Sequence, residues 1–144
     1  MTTSIVQTST NDAFVGYLGI AGPLCEPGCN RVQFLFEDES VLVGTSILVF
    51  FEFELRLRQL GLAMPTLSTE LARYRALFSE VINVDEEVRR TALKVRTEAT
   101  TRIAAMDTLI AATASVRNAT LVHRDPHFLA IPATLLKQEI LPAK

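Results

Sequence analysis

The stretch Ser40–Gly61, SVLVGTSILVFFEFELRLRQLG, contains a strand that passes directly into a helix. Its first part, Ser40–Thr45, is a run rich in β-branched and aliphatic residues, which is typical of a strand buried on both faces in a parallel sheet. Ser46 can cap the helix that follows, which we expect to cover Ile47–Leu60 and to end at Gly61. A strand followed at once by a helix is half of a βαβ unit, so this stretch predicts an α/β protein.

Strand and helix patterns alternate along the rest of the chain. Apolar runs bounded by turn residues predict strands, and apolar residues three and four apart predict helices. The further predicted elements are a strand at Ile5–Val6, a helix at Val32–Glu39, a helix at Thr66–Phe78 that Ser68 could cap, a strand at Val81–Val84, a helix from about Asp85, a helix at Ile103–Val116 ended by a left-handed Asn118, a strand at Thr120–His123 and a last strand at Leu136–Leu141. This order predicts a mainly parallel central sheet with helices on both faces.

The composition is that of a globular chain with one hydrophobic core. Of its 144 residues, 49% are hydrophobic and 21% are charged, so we expect a single domain over residues 1–144. The longest apolar run, Val41–Phe51, is too short to span a membrane, and the N-terminus lacks the features of a secretory signal. We therefore expect a cytoplasmic protein with no membrane partner. The formal net charge of −2 excludes a global positive field for nucleic acid, so such a contact needs a local patch or a metal ion.

Three acidic residues are expected at one end of the sheet. Glu52 lies among phenylalanines after the first buried strand, Asp107 lies near the start of an otherwise apolar helix, and Asp125 directly follows the strand Thr120–His123. Each alone has an ordinary explanation. Glu52 can be a solvated residue beside Arg56, Asp107 can be a helix-start residue, and Asp125 can be a turn residue before proline. Together, at the carboxyl ends of parallel strands, they predict a site for a hard divalent cation such as Mg²⁺ or Mn²⁺.

Two segments resemble a known family. The stretch AAMDTLIAATASVRNATLVHRDPHF, Ala104–Phe128, resembles the C-terminal signature of PIN-domain ribonucleases, above all the VapC toxins of toxin–antitoxin pairs. That signature is an Asp, an apolar helix of the type LIAATA, a strand, an Arg-Asp pair and a Phe. The stretch Thr45–Gly61 resembles the family's second motif, with Ser46 at the strand end and Glu52 on the next helix. The resemblance covers nearly the whole chain and implies a PIN-like three-layer sandwich.

The resemblance also implies a metal site with four acidic positions. Glu52, Asp107 and Asp125 match three of them, whereas the first position departs from the family pattern of an Asp after the first strand. One alignment places Gln7 at that position. A shifted alignment leaves Asp12 two positions late, from where its carboxylate can still reach the cluster. Both alignments stay open, and the second gives a catalytic and metal-binding set of Asp12, Glu52, Asp107 and Asp125.

The activity that the resemblance implies is Mg²⁺-dependent hydrolysis of RNA phosphodiester bonds. Ser46 and Arg124 are the residues expected to contact the substrate, with Arg124 nearest the phosphate, while pairs along a helix such as Glu54 with Arg58 explain most other arginines. The resemblance further implies a homodimer that a small antitoxin protein silences.

The altered first position supports a different possibility, a catalytically degenerate PIN domain that binds RNA or protein. A small α/β phosphohydrolase is disfavoured, since the sequence has no Gly-rich phosphate loop.

Overall fold

The computed structural model describes residues 2–6 and 27–142, and it describes side chains for residues 27–142. Five strands lie within these residues: β1 (Thr2–Val6), β2 (Val41–Ser46), β3 (Glu80–Ile82), β4 (Thr120–His123) and β5 (Lys137–Ile140). They form one sheet in the order β3-β2-β1-β4-β5, and every neighbouring pair is parallel. The predicted parallel sheet is therefore confirmed.

The helices of the described residues connect these strands. They are α1 (Cys29–Glu37), α2 (Ile47–Gln59), α3 (Thr66–Leu77), α4 (Glu86–Glu98), α5 (Ala105–Val116) and a short 3-10 helix (Pro126–Ala130). Within the described part of the chain, none of them has the length and apolar character that crossing a membrane requires.

The core has two main parts, one on each face of the sheet. Successive residues of a strand point to opposite faces, and Leu121 and Val122 of β4 accordingly belong to different hydrophobic clusters. Leu121 packs with Val95 of α4 and Ile110 of α5. Val122 belongs to the cluster that contains side chains of α1, α2 and α3. Helices thus cover both faces, which confirms the predicted three-layer α/β sandwich.

The strand order changes direction at β1. Strands β2 and β3 lie on one side of β1, whereas β4 and β5 lie on the other. Ligands of open parallel sheets bind outside the carboxyl ends of the strands at such a switch point. A ligand site is therefore expected at the edge of the sheet where β1, β2 and β4 end, at Val6, Ser46 and His123.

Two helices begin at side-chain caps. The hydroxyl of Ser46 accepts a hydrogen bond from the backbone N–H of Leu48 at 3.2 Å, so the predicted cap of α2 is confirmed. The carboxylate of Asp85 accepts one from the N–H of Val88 at 2.9 Å and caps α4, the helix predicted to begin near Asp85. These caps satisfy N–H groups that a helix start leaves without an intrahelical partner.

One predicted helix cap and one predicted helix start are wrong in detail, although α3 begins at Thr66 as predicted. Ser68 lies inside α3, which begins at Thr66 directly after Pro65. The restricted φ of proline suits the start of a helix, so α3 begins without a serine cap. Helix α1 begins at Cys29 rather than at Val32. Apolar residues at helical spacing show only which part of a helix packs against the core. Because the first turn of α1 is largely polar, this pattern did not reveal it.

The last predicted strand is confirmed despite its charges. β5 pairs in parallel with β4 along its whole length. The carboxylate of Glu139 on β5 accepts two hydrogen bonds from the guanidinium of Arg31 on α1, at 2.6 and 3.0 Å. This charged edge strand is thereby tied to the neighbouring helix. The predicted left-handed Asn118 is also confirmed, with φ of 50°.

Candidate active site

Chain connectivity places the three predicted acidic residues at one edge of the sheet. Helix α2 starts where β2 ends, so Glu52 in its second turn lies beyond the carboxyl end of that strand. Helix α5 leads into β4 and runs antiparallel to it, so Asp107 in its first turn lies at the same edge. Asp125 lies two residues beyond the end of β4. Three separate segments therefore bring carboxylates to the side where the strand order changes.

Asp107 lies close enough to Glu52 to influence the ionisation of the Glu52 carboxyl. Burial raises the pKa of the Glu52 carboxyl above its ordinary value, and the charge of Asp107 raises it further. Both side chains are partly buried. Among the described residues, Glu52 makes no ion pair, with Arg56 or with any other residue. Two carboxylates of like charge are thus held together in a partly desolvated place.

Tyr74 lies near Glu52. Its ring, on α3, is fully buried and stacks on Phe53 of α2, with centroids 3.8 Å apart. Burial raises the pKa of the Tyr74 hydroxyl above its ordinary value, and the charge of Glu52 adds to the rise. Tyr74 therefore stays protonated and neutral near Glu52. The sequence had indicated only an apolar stripe here, because the partners of Tyr74 come from two other elements.

Ser46 supports the site through the backbone. It is fully buried, and its hydroxyl is the cap of α2 described above. The cap fixes the start of the helix that carries Glu52 six residues later. The contact between Ser46 and a substrate stays a prediction.

Asp125 is oriented by its own loop. Its Oδ1 accepts a hydrogen bond from the backbone N–H of His127 at 2.9 Å and lies 2.7 Å from Nδ1 of the His127 ring. Asp125 thus caps the 3-10 helix, in agreement with its reading as a turn residue before proline. Sequence reasoning did not associate His127 with Asp125, although their spacing of two residues around Pro126 is the signal that could have indicated it.

Arg124 turns toward the loop before α1. Its guanidinium donates a hydrogen bond to the carbonyl of Pro27. Its predicted role at a phosphate is not visible in that contact and stays a prediction.

The neighbouring His123 is fully buried, with Nε2 lying 3.0 Å from the side-chain oxygen of Gln138. Burial lowers the pKa of His123, so this ring is neutral at physiological pH.

The described residues supply part of the predicted metal site. Within residues 27–142, no group of three or more His, Cys, Asp or Glu side chains lies close enough to hold a metal ion. Gln7 and Asp12, the alternatives for the first acidic position, lie outside the described residues. The structure therefore brings Glu52 and Asp107 together, while the full four-residue set stays a prediction. Their hard oxygen donors suit Mg²⁺ or Mn²⁺, and a divalent cation would relieve their mutual repulsion.

A family model agrees with this architecture. The model of the PIN domain matches residues 26–133, which is most of the chain. The chain belongs to the PIN domain family. The match to the PIN model begins after the segment in which the sequence departs from the family pattern, at Gln7 and Asp12. A comparison with curated protein sequences finds no match.

Solved structures share the fold of this PIN domain. A VapBC2 structure from Rickettsia felis, bound to a DNA fragment from its promoter, has a TM-score of 0.69 and 18% identity, covering 96% of this chain and 98% of that chain. FitAcB from Neisseria gonorrhoeae has a TM-score of 0.66 and 22% identity, covering 94% and 96%. VapBC-5 from Mycobacterium tuberculosis, a member of the VapBC family of toxin–antitoxin systems, has a TM-score of 0.56 and 20% identity, covering 99% and 100%. At these identities the similarity establishes the PIN fold.

Proposed function

We propose that this PIN domain is a Mg²⁺- or Mn²⁺-dependent endoribonuclease and the toxin of a toxin–antitoxin pair. The observation that carries the proposal is the acidic pair Glu52–Asp107. Its two carboxylates come from different helices, repel each other in a partly buried place, and lie at the sheet edge where ligands of parallel folds bind. Holding like charges together costs free energy in the absence of a cation, which is typical of a functional site.

Each predicted site residue has a role in this proposal. Glu52, Asp107, Asp125 and Asp12 would hold the ion. A bound divalent cation lowers the pKa of a coordinated water and neutralises charge that develops on the phosphate. Asp107 lies in the first turn of α5, near the positive end of the helix dipole.

The chain's other residues position this set. Ser46 fixes the start of α2, His127 orients Asp125, and neutral Tyr74 lies near Glu52 without adding charge. Arg124 would turn from Pro27 toward the phosphate when RNA binds.

The partners follow from the same proposal. The structures with similar folds include a member of the VapBC family of toxin–antitoxin systems, which supports a small antitoxin as the protein partner. A homodimer is supported by an exposed apolar stripe on α2, formed by Ile47, Phe51 and Leu55 at a spacing of four residues. We propose that residues 1–144 act as one domain in the cytoplasm.

A degenerate PIN domain that binds RNA or protein is the second candidate. The observation that favours it is the departure of the first acidic position, where Gln7 or the displaced Asp12 stands in place of the family's Asp. A neutral amide at that position would leave three carboxylates and weaken cation binding. The two candidates differ in one measurable property, namely metal-dependent cleavage.

Cleavage of labelled structured RNA tests the proposal. We expect cleavage with Mg²⁺ or Mn²⁺ that EDTA abolishes and that Asp107→Asn lowers by at least about a hundredfold, since catalytic charge stabilisation of this kind is worth that much. Glu54→Gln, which removes a carboxylate that is two residues from Glu52 and paired with Arg58, should leave cleavage unchanged. Absence of cleavage across RNAs of different structure, from a folded protein, would favour the degenerate PIN domain.

A further inference from the structure

A cavity of about 360 Å³ lies between α4 and α5, beside the turn that carries Asp107. Its walls combine arginine side chains with apolar surface. The lining residues that matter here are Arg89, Leu93, Arg96, Arg102, Ile103 and Thr108. A volume of this size is at the lower end of ordinary ligand pockets and suits one small organic group.

The cavity lies in the most basic segment of the chain. Residues 89–102 contain five of the 14 Lys and Arg residues and a single acidic residue, in a chain whose net charge is −2. Arg89 is engaged by Glu86 at 2.7 Å, and Arg96 donates to the backbone carbonyl of Ile103. Arg102 makes no ion pair within residues 27–142 and is exposed. The cavity therefore offers a guanidinium that no described carboxylate neutralises.

The apolar part of the cavity is open to solvent. Leu93 on α4 is 58% exposed, although it lies among charged residues. Ile103, on the other wall, is buried. An exposed leucine between arginines offers an apolar surface for a flat ring and a positive charge for a neighbouring phosphate.

The cavity adjoins the acidic pair. Thr108 lines the cavity and follows Asp107 directly, while Ala104, three residues before Asp107, also lines it. Ala104 is the residue before the first turn of α5, and Asp107 lies in that turn. The cavity and Asp107 therefore share the start of α5, so a nucleotide in the cavity would lie near a phosphate held at Glu52 and Asp107.

We propose that this cavity binds one nucleotide of single-stranded RNA next to the phosphate that is cut, with Arg102 at the phosphate and Leu93 against the base. The inference rests on the proposed function and adds the position and chemistry of a substrate contact. RNA is favoured over an acidic peptide because the cavity lies beside the start of α5, the helix that carries Asp107 of the proposed phosphodiester site.

Fluorescence anisotropy with a short labelled single-stranded RNA of mixed sequence tests this, in EDTA so that cleavage does not interfere. Arg102→Ala should weaken binding and lower the slope of log affinity against log salt by about 0.7, the value for one phosphate contact of a single strand. Leu93→Ser should weaken binding without changing that slope. Matched controls on other surfaces are Arg73→Ala, on the opposite face of the sheet, and Leu60→Ser, which removes a leucine of 46% exposure.

The outcomes separate the two proposals. Unchanged RNA affinity and salt slope in Arg102→Ala would overturn the cavity assignment, and binding of an acidic peptide that depends on Arg102 would assign the cavity to a protein partner instead. RNA cleavage that survives in Arg102→Ala with unchanged binding leaves the nuclease proposal intact. RNA binding that depends on Arg102, without cleavage under any metal, supports the cavity and contradicts the nuclease. Circular dichroism confirms that each variant is folded.

Discussion

At the scale of single residues, the site is defined by the cost of holding Glu52 beside Asp107. The pKa of Glu52 is raised in the folded protein by burial first and by Asp107 second. A raised pKa means that the protonated form is favoured by folding. The protonated Glu52 carboxyl therefore makes its full contribution to the free energy of unfolding below its ordinary pKa of 4.5. That contribution is lost as the pH rises through the raised pKa of the folded protein.

Glu52→Gln should therefore stabilise the metal-free protein at neutral pH. We expect the free energy of unfolding to rise by about 1 kcal/mol, which raises Tm by about 2–4 °C. The gain should shrink at acid pH, where Glu52 is protonated anyway. Thermal unfolding in EDTA at several pH values measures this.

Glu54→Gln is the matched control for that change. Glu54 pairs with Arg58 at 2.7 Å on the exposed side of the same helix. Loss of an exposed ion pair of this kind should lower the free energy of unfolding by less than about 0.5 kcal/mol. Equal effects of the two substitutions, or a destabilising Glu52→Gln, would contradict the assigned repulsion.

At the scale of elements, local signals in the sequence predicted most of the secondary structure. The strand β2, its Ser46 cap and the start of α4 near Asp85 follow from residue types next to one another, and the structure confirms them. The predicted cap of α3 was wrong, because the helix begins at Thr66 directly after Pro65 and Ser68 lies inside it. The roles of Tyr74 and His127 were missed because they depend on contacts rather than on periodicity.

Ser46→Ala tests the element that carries Glu52. We expect the free energy of unfolding to fall by about 1 kcal/mol, because the N–H of Leu48 loses its hydrogen bond at the start of α2. Urea denaturation measures the change.

Ser68→Ala is the control for the Ser46 cap, since Ser68 lies inside α3 and caps no helix. It should change stability by less than about 0.5 kcal/mol. A loss as large in Ser68→Ala as in Ser46→Ala would contradict the capping assignments.

At the scale of the whole molecule, the order of strands explains why acidic residues far apart in sequence lie at one edge. That edge could be predicted, since each carboxylate follows a strand or begins a helix that leads into one. The first acidic position could not be assigned from the sequence, because the residues from Gln7 to Asp12 can be aligned with the family pattern in two registers and neither places an Asp at that position. The basic cavity between α4 and α5 also escaped prediction, since a net charge of −2 conceals a local concentration of arginine.

The proposed homodimer is a property of the whole molecule that one substitution tests. Phe51→Glu places a charge in the exposed apolar stripe of α2 and should convert a dimer to a monomer in light scattering after size-exclusion chromatography. Phe34→Glu is a matched control, because Phe34 is equally exposed, at 55%, but lies on α1. A dimer that persists in Phe51→Glu and dissociates in Phe34→Glu would place the interface on α1 instead.

Titration with Mn²⁺, followed by electron paramagnetic resonance, tests the central claim most directly, because it requires neither the RNA target nor the antitoxin. The wild-type protein should bind Mn²⁺, and Glu52→Gln should weaken that binding by about tenfold or more, since even an outer partner of a metal ligand is worth that much. Glu54→Gln should bind as the wild type does. Absence of Mn²⁺ binding in the wild-type protein, or equal affinity in all three proteins, would contradict a metal site at Glu52 and Asp107.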